Sequence, residues 1–256
     1  MLVMGKFKWF ESSGQPREYH LDKMTLRELV WAYFLYPAIQ IYLVLLGVSL
    51  VAVMWLRGNP LRTALAAAAI IVVYPVVEYL IHRFVLHAPL YRWSRMATFW
   101  KRVHYDHHRD PNNLRVLFGR ARDQLFTVTS ITLPIGAAIG GPAGMAAAFS
   151  AGLLCLMSYE FCHCLQHLRF VPRSDYFRAI KRNHLLHHFH NEQGNFGITG
   201  YAIDRVFGTR YRDTHEWPHS ATVHNLGYAG EKCVRYPWVR QLSEEACPSG
   251  GSHKPA

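Results

Sequence analysis

Hydrophobic positions in this chain come in long unbroken blocks rather than in the alternation of strands or the spaced stripes of soluble helices. Tyr36 to Leu56 contains no Asp, Glu, Lys or Arg, and neither does Gln124 to Tyr159, a run of thirty-six positions. A helix needs roughly 20 residues to cross the hydrocarbon core of a bilayer, so these blocks predict membrane spans. The longer run is divided by Gly140-Gly141-Pro142, an uncharged turn. A further apolar block around Ala64–Val77 lies between the two runs. Four spans follow, near 37–56, 61–81, 124–140 and 143–162, and Arg57-Gly-Asn-Pro60 forms the tight turn between the first two. Ahead of them, Thr25-Leu-Arg-Glu28 has the form of a capping box that opens a short helix through Leu35. Its Trp31, Tyr33, Phe34 and Tyr36 suit a membrane interface. Lys6 and Lys8 interrupt the opening apolar residues before the core of a cleavable signal forms.

The pattern predicts an all-α polytopic membrane protein with four transmembrane helices and a cytoplasmic helical cap. Residues 1–35 read as an interfacial segment, 36–240 as one integral membrane domain, and 241–256 as a disordered tail. The net charge of +11 changes the picture only when it is sorted by side. Given the four spans, 26 of the 28 basic residues fall on one face, and only Arg57 and Arg62 on the other. The positive-inside rule makes that face cytoplasmic and puts both termini there. Topology and anionic headgroups account for the basic excess, so nucleic acid is not an expected partner. Cys162 and Cys164 flank His163 but point about 100° to either side of it on a helix. Cys162 and Cys164 are read as packing residues rather than ligands, and a disulfide framework is not expected in a cytoplasmic setting.

The chemistry lies in histidine. Ten of the sixteen form four clusters: His82 with His87, His104 with His107 and His108, His163 with His167, and His184 with His187 and His188. Their spacings are H-x4-H, H-x2-HH, H-x3-H and H-x2-HH. Side chains three or four apart share a helical face, so each of the last three clusters is expected to converge on one point. His82 and His87, five apart, do not share a face on an ideal helix, so either the helix distorts near His87 or the two imidazoles approach the site from different sides. The second and fourth spans end on the same side, which brings the clusters to one membrane depth. Ten ligands exceed the capacity of one ion, so two metals are implied. Imidazole suits iron, zinc, copper and nickel, and a closed structural zinc site has only four ligands. Redox metals with open positions at a lipid boundary point to dioxygen chemistry on an acyl chain.

This order of histidines resembles the fatty acid hydroxylase superfamily, which includes sterol desaturases and fatty acid 2-hydroxylases. Glu78-Tyr-Leu-Ile-His82-Arg-Phe-Val-Leu-His87 and Asn195-Phe-Gly-Ile-Thr199 with Asp204-Arg-Val-Phe-Gly-Thr209 carry the resemblance further, over about 75 to 210. It implies a membrane di-iron oxygenase whose ligands are His82, His87, His104, His107, His108, His163, His167, His184, His187 and His188. Two iron ions are the implied cofactors, with zinc able to occupy the same sites in purified samples, and dioxygen is the implied co-substrate. The implied partners are a bilayer lipid and an external electron donor, a b-type cytochrome or a ferredoxin-like protein. Eukaryotic 2-hydroxylases often carry a fused haem domain, and nothing before residue 36 is expected to form one.

Glu78, Glu160, His190, Asn191, Asn195 and Asp204 are candidates to orient ligand imidazoles. Two alternatives stand beside the leading expectation of acyl hydroxylation. One is desaturation or hydroxylation of a sterol or another lipid, for example an aminolipid headgroup. The other is metal transport, which would place ligands inside the spans, where these ten do not fall.

Overall fold

The computed structural model describes residues 19–242. The expected interfacial residues before 19 and the expected tail beyond 242 lie outside that range. The first helix, α1 (Leu26–Leu35), begins at the expected capping box: Glu28 N donates to Thr25 Oγ1, and Thr25 N donates to the Glu28 carboxylate. Pro37, at a first-turn position that needs no N–H donor, opens α2 (Pro37–Leu56). Arg57 takes up a left-handed conformation with φ 46° and stops α2. Asn59 then caps α3 (Pro60–Ile81) by accepting from Arg62 N.

Past α3 the helix widens into a π turn over His82–Leu86. Short helices α4 (Ser94–Trp100), α5 (Asp106–Arg109) and α6 (Leu114–Leu117) follow, with a second π turn, Lys101–Tyr105, between α4 and α5. The long element α7 (Ala121–His167) returns through the bundle. A cap of α8 (Asp175–Phe189), α9 (Ala202–Val206), α10 (Glu231–Arg235) and α11 (Trp238–Gln241) completes the described chain. Among the described residues the only β pairing is a single bridge from His20 to Asn113.

Drawn straight, the 47 residues of α7 would reach about 70 Å at 1.5 Å per residue, over twice the thickness of a bilayer core. They do not run straight. Gly140 (φ −136°, ψ 15°) and Gly141 (φ 59°, ψ −148°) leave the helical region, and the chain folds back there. A Cβ on Gly136 would strike the carbonyl oxygen of Gly144 and lie 2.8 Å from Ala148 Cβ. The two arms therefore meet backbone to backbone near the turn, which only small residues allow.

Three helices among the described residues are long and apolar enough to cross a membrane, within Pro37–Leu56, Pro60–Arg92 and Leu114–His167. Val48, Val51, Met54, Ile71 and Val72 are all more than half exposed. Exposed apolar surface on this scale marks a lipid-facing belt rather than a water-facing one. Inside, α1 and α2 pack on α7 through Leu29, Tyr33, Ile39, Tyr42, Leu153 and Leu156. Tyr33 donates its hydroxyl to Met157 O at 2.6 Å, and Ser49 pairs with Ser150 at 2.7 Å. The α3–α7 contact is made by Ala66, Ile70, Ala148 and Ala151. Cys155, Cys162 and Cys164 are free thiols. Cys233 is disulfide-bonded, contrary to the sequence expectation.

Candidate dimetal site

The polar ends of α3 and α7, the α4–α5 region and α8 meet at one layer, and all ten clustered histidines lie there. They form two groups of five. His82, His87, His104, His108 and His187 make the first, and His107, His163, His167, His184 and His188 the second, with one ligand nitrogen from each residue lying within 4.8 Å of the others in its group. Nine of the ten are buried and His87 is partly so.

The sequence expectation that each H-x2-HH cluster converges on one point is corrected by this grouping. His104 and His108, four apart, face the first group, whereas His107 turns to the second. His184 and His188 likewise share the second group, and His187 turns to the first. On a helix with 3.6 residues per turn, positions i+3 and i+4 are about 100° apart. Two adjacent histidines separated by that angle cannot both turn to one metal ion, whereas a pair four apart can. Each doublet therefore bridges the two groups. His163 and His167, four apart, stay together as expected. His82 and His87 share the first group because of the π turn, where His87 N donates to His82 O at 3.2 Å. An i→i+5 repeat brings five-residue spacing onto one face.

The first group shows what the arrangement is for. Nε2 of His87 lies 3.3 Å from that of His82, 2.9 Å from that of His104 and 3.2 Å from that of His187, and His104 Nε2 lies 3.1 Å from that of His108. The opposite nitrogens of three rings face backbone carbonyls: His82 Nδ1 to Phe196 O at 2.5 Å, His187 Nδ1 to Gly194 O at 2.7 Å, and His108 Nδ1 to Val223 O at 2.8 Å. A carbonyl only accepts, so these Nδ1 atoms carry the protons, and in a neutral imidazole Nε2 is then a bare lone pair. Several lone pairs converging at about 3 Å repel one another unless a cation lies between them. Ligands at right angles around a metal with bonds of about 2.1 Å sit about 3 Å apart, close to the spacing seen.

The second group is tied differently. His167 and His184 approach at 2.9 Å through Nε2, and the His107 ring lies 4.6 Å from His163 and 4.4 Å from His188. Both nitrogens of His107, His163 and His188 and the Nδ1 atoms of His167 and His184 are buried without a hydrogen-bond partner. Buried polar atoms are rarely left unpaired, and a metal ion would engage one nitrogen of each ring. Burial also keeps the donors in the binding form. It is the largest cause, with neighbouring imidazoles adding to it, that pushes His104, His107, His184, His187 and His188 below the ordinary histidine range. His108 is lowered to about 3, again chiefly by burial. All six are neutral at pH 7, as ligation requires. The donor set fits a pair of imidazole-bound ions with more ligands than structural zinc takes.

Five of the six candidate orienting residues are tied to backbone rather than to a ligand imidazole, and Glu160 to a side chain. Glu78 accepts from Ile198 N (2.5 Å), Thr199 N (2.8 Å) and Thr199 Oγ1 (2.6 Å). Asp204 accepts from Phe196 N, Gly197 N and Thr209 Oγ1 at 2.8–2.9 Å. Together they hold the loop whose Phe196 carbonyl meets His82. Asn195, with φ 56°, is tied to Tyr211 through both ends of its amide. Asn191 donates to Pro218 O, and His190 Nε2 faces Trp217 O. Glu160 accepts from Gln124. The carbonyls of Gly194, Phe196 and Val223 were missed from the sequence, although the Asn195–Thr199 motif marked the right loop. Lys181 is committed to the end of α7, donating to Gln166 O at 3.1 Å and to Leu168 O.

Below the histidines lies a cavity of about 380 Å³, bounded by α3 and both arms of α7. His82, His104 and His163 line its head, and Tyr74, Val77 and Leu156 line its apolar body.

The fatty acid hydroxylase family model matches residues 67–209, more than half of the chain, and that stretch holds all ten histidines. The chain belongs to the fatty acid hydroxylase family. Among curated relatives, the dihydroceramide fatty acyl 2-hydroxylase FAH1 of Arabidopsis thaliana is 32% identical over 145 residues, covering 54% of this chain and 57% of that protein. Human (Homo sapiens) fatty acid 2-hydroxylase is 29% identical over 156 residues, covering 58% of this chain and 39% of the relative. This fatty acid hydroxylase family member thus spans about half the length, or less, of the curated relatives it matches. A solved structure of full-length scs7p, in which only the hydroxylase domain is visible, superposes with a TM-score of 0.55 at 25% identity, over 78% of this chain and 71% of that one.

Proposed function

We propose that this protein is a membrane di-iron oxygenase that hydroxylates the acyl chain of a lipid, in the manner named for its fatty acid 2-hydroxylase relatives. The observation that carries this reading is the position of the two five-histidine groups at the head of an apolar cavity between membrane-type helices. A metal-storage or transport protein has no use for such a cavity, and a structural metal site would not open onto it. The two arms of α7, about 29 Å and about 39 Å long at 1.5 Å per residue, are each long enough to cross, which supports four crossings in all. The positive-inside distribution of basic residues supports a cytoplasmic side for the histidines.

His82, His87, His104, His108 and His187 would hold one iron, and His107, His163, His167, His184 and His188 the other. Bound there, the pair would supply two-electron reduction of dioxygen and an oxidant able to cleave an unactivated C–H bond. Everything else is positioning. The Gly194, Phe196 and Val223 carbonyls fix the tautomers of three rings, which keeps their lone pairs aimed inward. Val77 and Leu156 hold the acyl tail, so that a carbon near its polar end lies beneath His82 and His163. Burial of the layer excludes bulk water from the reacting carbon. Electrons come from a separate carrier, a b-type cytochrome or a ferredoxin-like protein, on the cytoplasmic face.

The test is lipid mass spectrometry on cells expressing the protein or His187→Ala under labelled dioxygen. An acyl chain that gains one labelled oxygen, only with the unaltered protein, is the expected result. Loss of two hydrogens without label would make it a desaturase, and label on a sterol or a headgroup would move the substrate. Unchanged lipids in a host with a competent electron donor would overturn the proposal.

A further inference from the structure

The cavity under the histidines ends below where its helices close on one another, and that depth is set by the sequence. Its α3 wall is a single stripe, Ile70, Val73, Tyr74, Val77, Glu78, Ile81 and His82, the spacing of one helical face. From Ile70 to His82 is twelve residues, or about 18 Å at 1.5 Å per residue. On the facing arms the lining stops at Thr132 and Gly152, which touch: a Cβ on Gly152 would lie 2.6 Å from Thr132 Cγ2 and 3.0 Å from Val128 Cγ1. Beyond that level the helices close. Ala66 and Ala148 are fully buried, and a Cβ on Gly144 would lie 3.5 Å from Ala66 Cβ. Small residues let the three helices meet below Ile70, and larger ones hold them apart above it.

We infer that Ile70, Thr132 and Gly152 form the floor of a chain-length ruler, which selects lipids whose acyl tail is about one leaflet long and rejects very long chains. This rests on the reading of the cavity as the acyl site. Two magnitudes agree with it. The depth of about 18 Å is close to the roughly 15 Å of one leaflet. A volume of about 380 Å³ holds about a dozen methylene groups at the roughly 30 Å³ taken up by a water-sized group. A longer tail has no continuation past the floor and must fold back or leave the cavity.

The experiment is affinity-selection mass spectrometry on the full chain in lipid nanodiscs, with empty nanodiscs as the blank. The probe is an equimolar mixture of saturated fatty acids from about 12 to about 26 carbons. Retention should rise to about 16 carbons and fall at least about five-fold by about 22. Val77→Phe, which fills the middle of the cavity, should move the cut-off about two carbons shorter. Ile70→Ala, which lowers the floor, should move it longer by a similar step. Flat retention across the series, or a cut-off that neither variant moves, overturns the ruler. Binding needs neither iron nor reductant. A chain that binds with this cut-off but forms no hydroxylated product would sink the oxygenase reading while leaving the ruler standing.

Discussion

His107 and His108 are adjacent in sequence yet belong to different histidine groups: the His108 ring lies 4.6 Å from His104, and the His107 ring lies 4.6 Å from His163. His187 and His188 are divided in the same way. Two doublets on two helices thus set the separation of the two groups, because a helix fixes the angle between neighbouring side chains.

Replacing His107 and His108 should therefore have distinguishable effects. His107→Ala and His188→Ala should deplete the second group, and His108→Ala and His187→Ala the first. Each variant should retain about one iron per chain and lose activity at least about a hundred-fold, since members of a unit that acts together are not additive. Iron analysis with Mössbauer spectroscopy checks this. Identical spectra from the His107 and His108 variants would contradict the division.

The two groups should also differ in how they release metal. Three first-group rings are oriented by carbonyls at 2.5–2.8 Å, whereas the second-group rings have no such partner. Orienting bonds of this kind change metal affinity by roughly 10–100-fold. Dialysis against graded chelator should remove one iron well before the other, and His107→Ala should abolish the early phase. A single phase accounting for both irons would show that the carbonyls do not discriminate.

Glu78 reaches the first group through the backbone. Glu78→Ala removes the acceptor for Ile198 N, Thr199 N and Thr199 Oγ1, and each buried donor left unpaired costs about 1–3 kcal/mol. The Phe196 carbonyl then loses its support, so first-group iron should weaken while second-group iron persists. Glu78→Gln keeps one oxygen for the two backbone donors and should behave nearly as the unaltered protein. Equal weakening of both irons in the alanine variant would mean a general loss of fold.

Acid should destabilise the metal-free protein. The buried imidazoles of His104, His107, His108, His184, His187 and His188 have folded-state values below the unfolded value of about 6.5. Above pH 6.5 both states are neutral and the full stability is present. Below it the unfolded chain binds protons that the folded chain refuses, so stability is lost as pH falls toward the value of about 3 for His108. Thermal unfolding in detergent between pH 8 and pH 5.5 should show a falling apparent Tm, with a loss of several degrees at the acid end. A flat profile would place these imidazoles in water.

Much of this architecture could be read in advance. Span lengths, the capping box at Thr25 and the break at Gly140-Gly141 are local, and local physics writes them into the sequence. The ten histidines were also visible, because helical spacing makes ligand clusters periodic. Their division into groups was not, since i+3 and i+4 look equivalent until two targets compete for them. The carbonyls of Gly194, Phe196 and Val223 leave no signature of their own, because every residue has one and only the tertiary fold selects which meet a ring. The floor at Ile70 depends on where three helices converge, which no single helix records.

That convergence gives the last prediction. A Cβ on Gly136 would strike the Gly144 carbonyl and lie 2.7 Å from Met145 Cα, with backbone on the far side that cannot turn away. Overpacking of a tight contact costs about 1–3 kcal/mol, and more where backbone must move. Gly136→Val should therefore force the arms of α7 apart, lower the apparent Tm by several degrees and open the cavity floor to longer acyl chains. Gly47 is the control: it lies within α2, and a Cβ there meets nothing within 4 Å. Gly47→Ala should leave stability unchanged or raise it by up to about 1 kcal/mol through helix propensity. If Gly136→Val melts with the unaltered protein, the arms are not held by that contact, and the depth of the cavity must be set elsewhere.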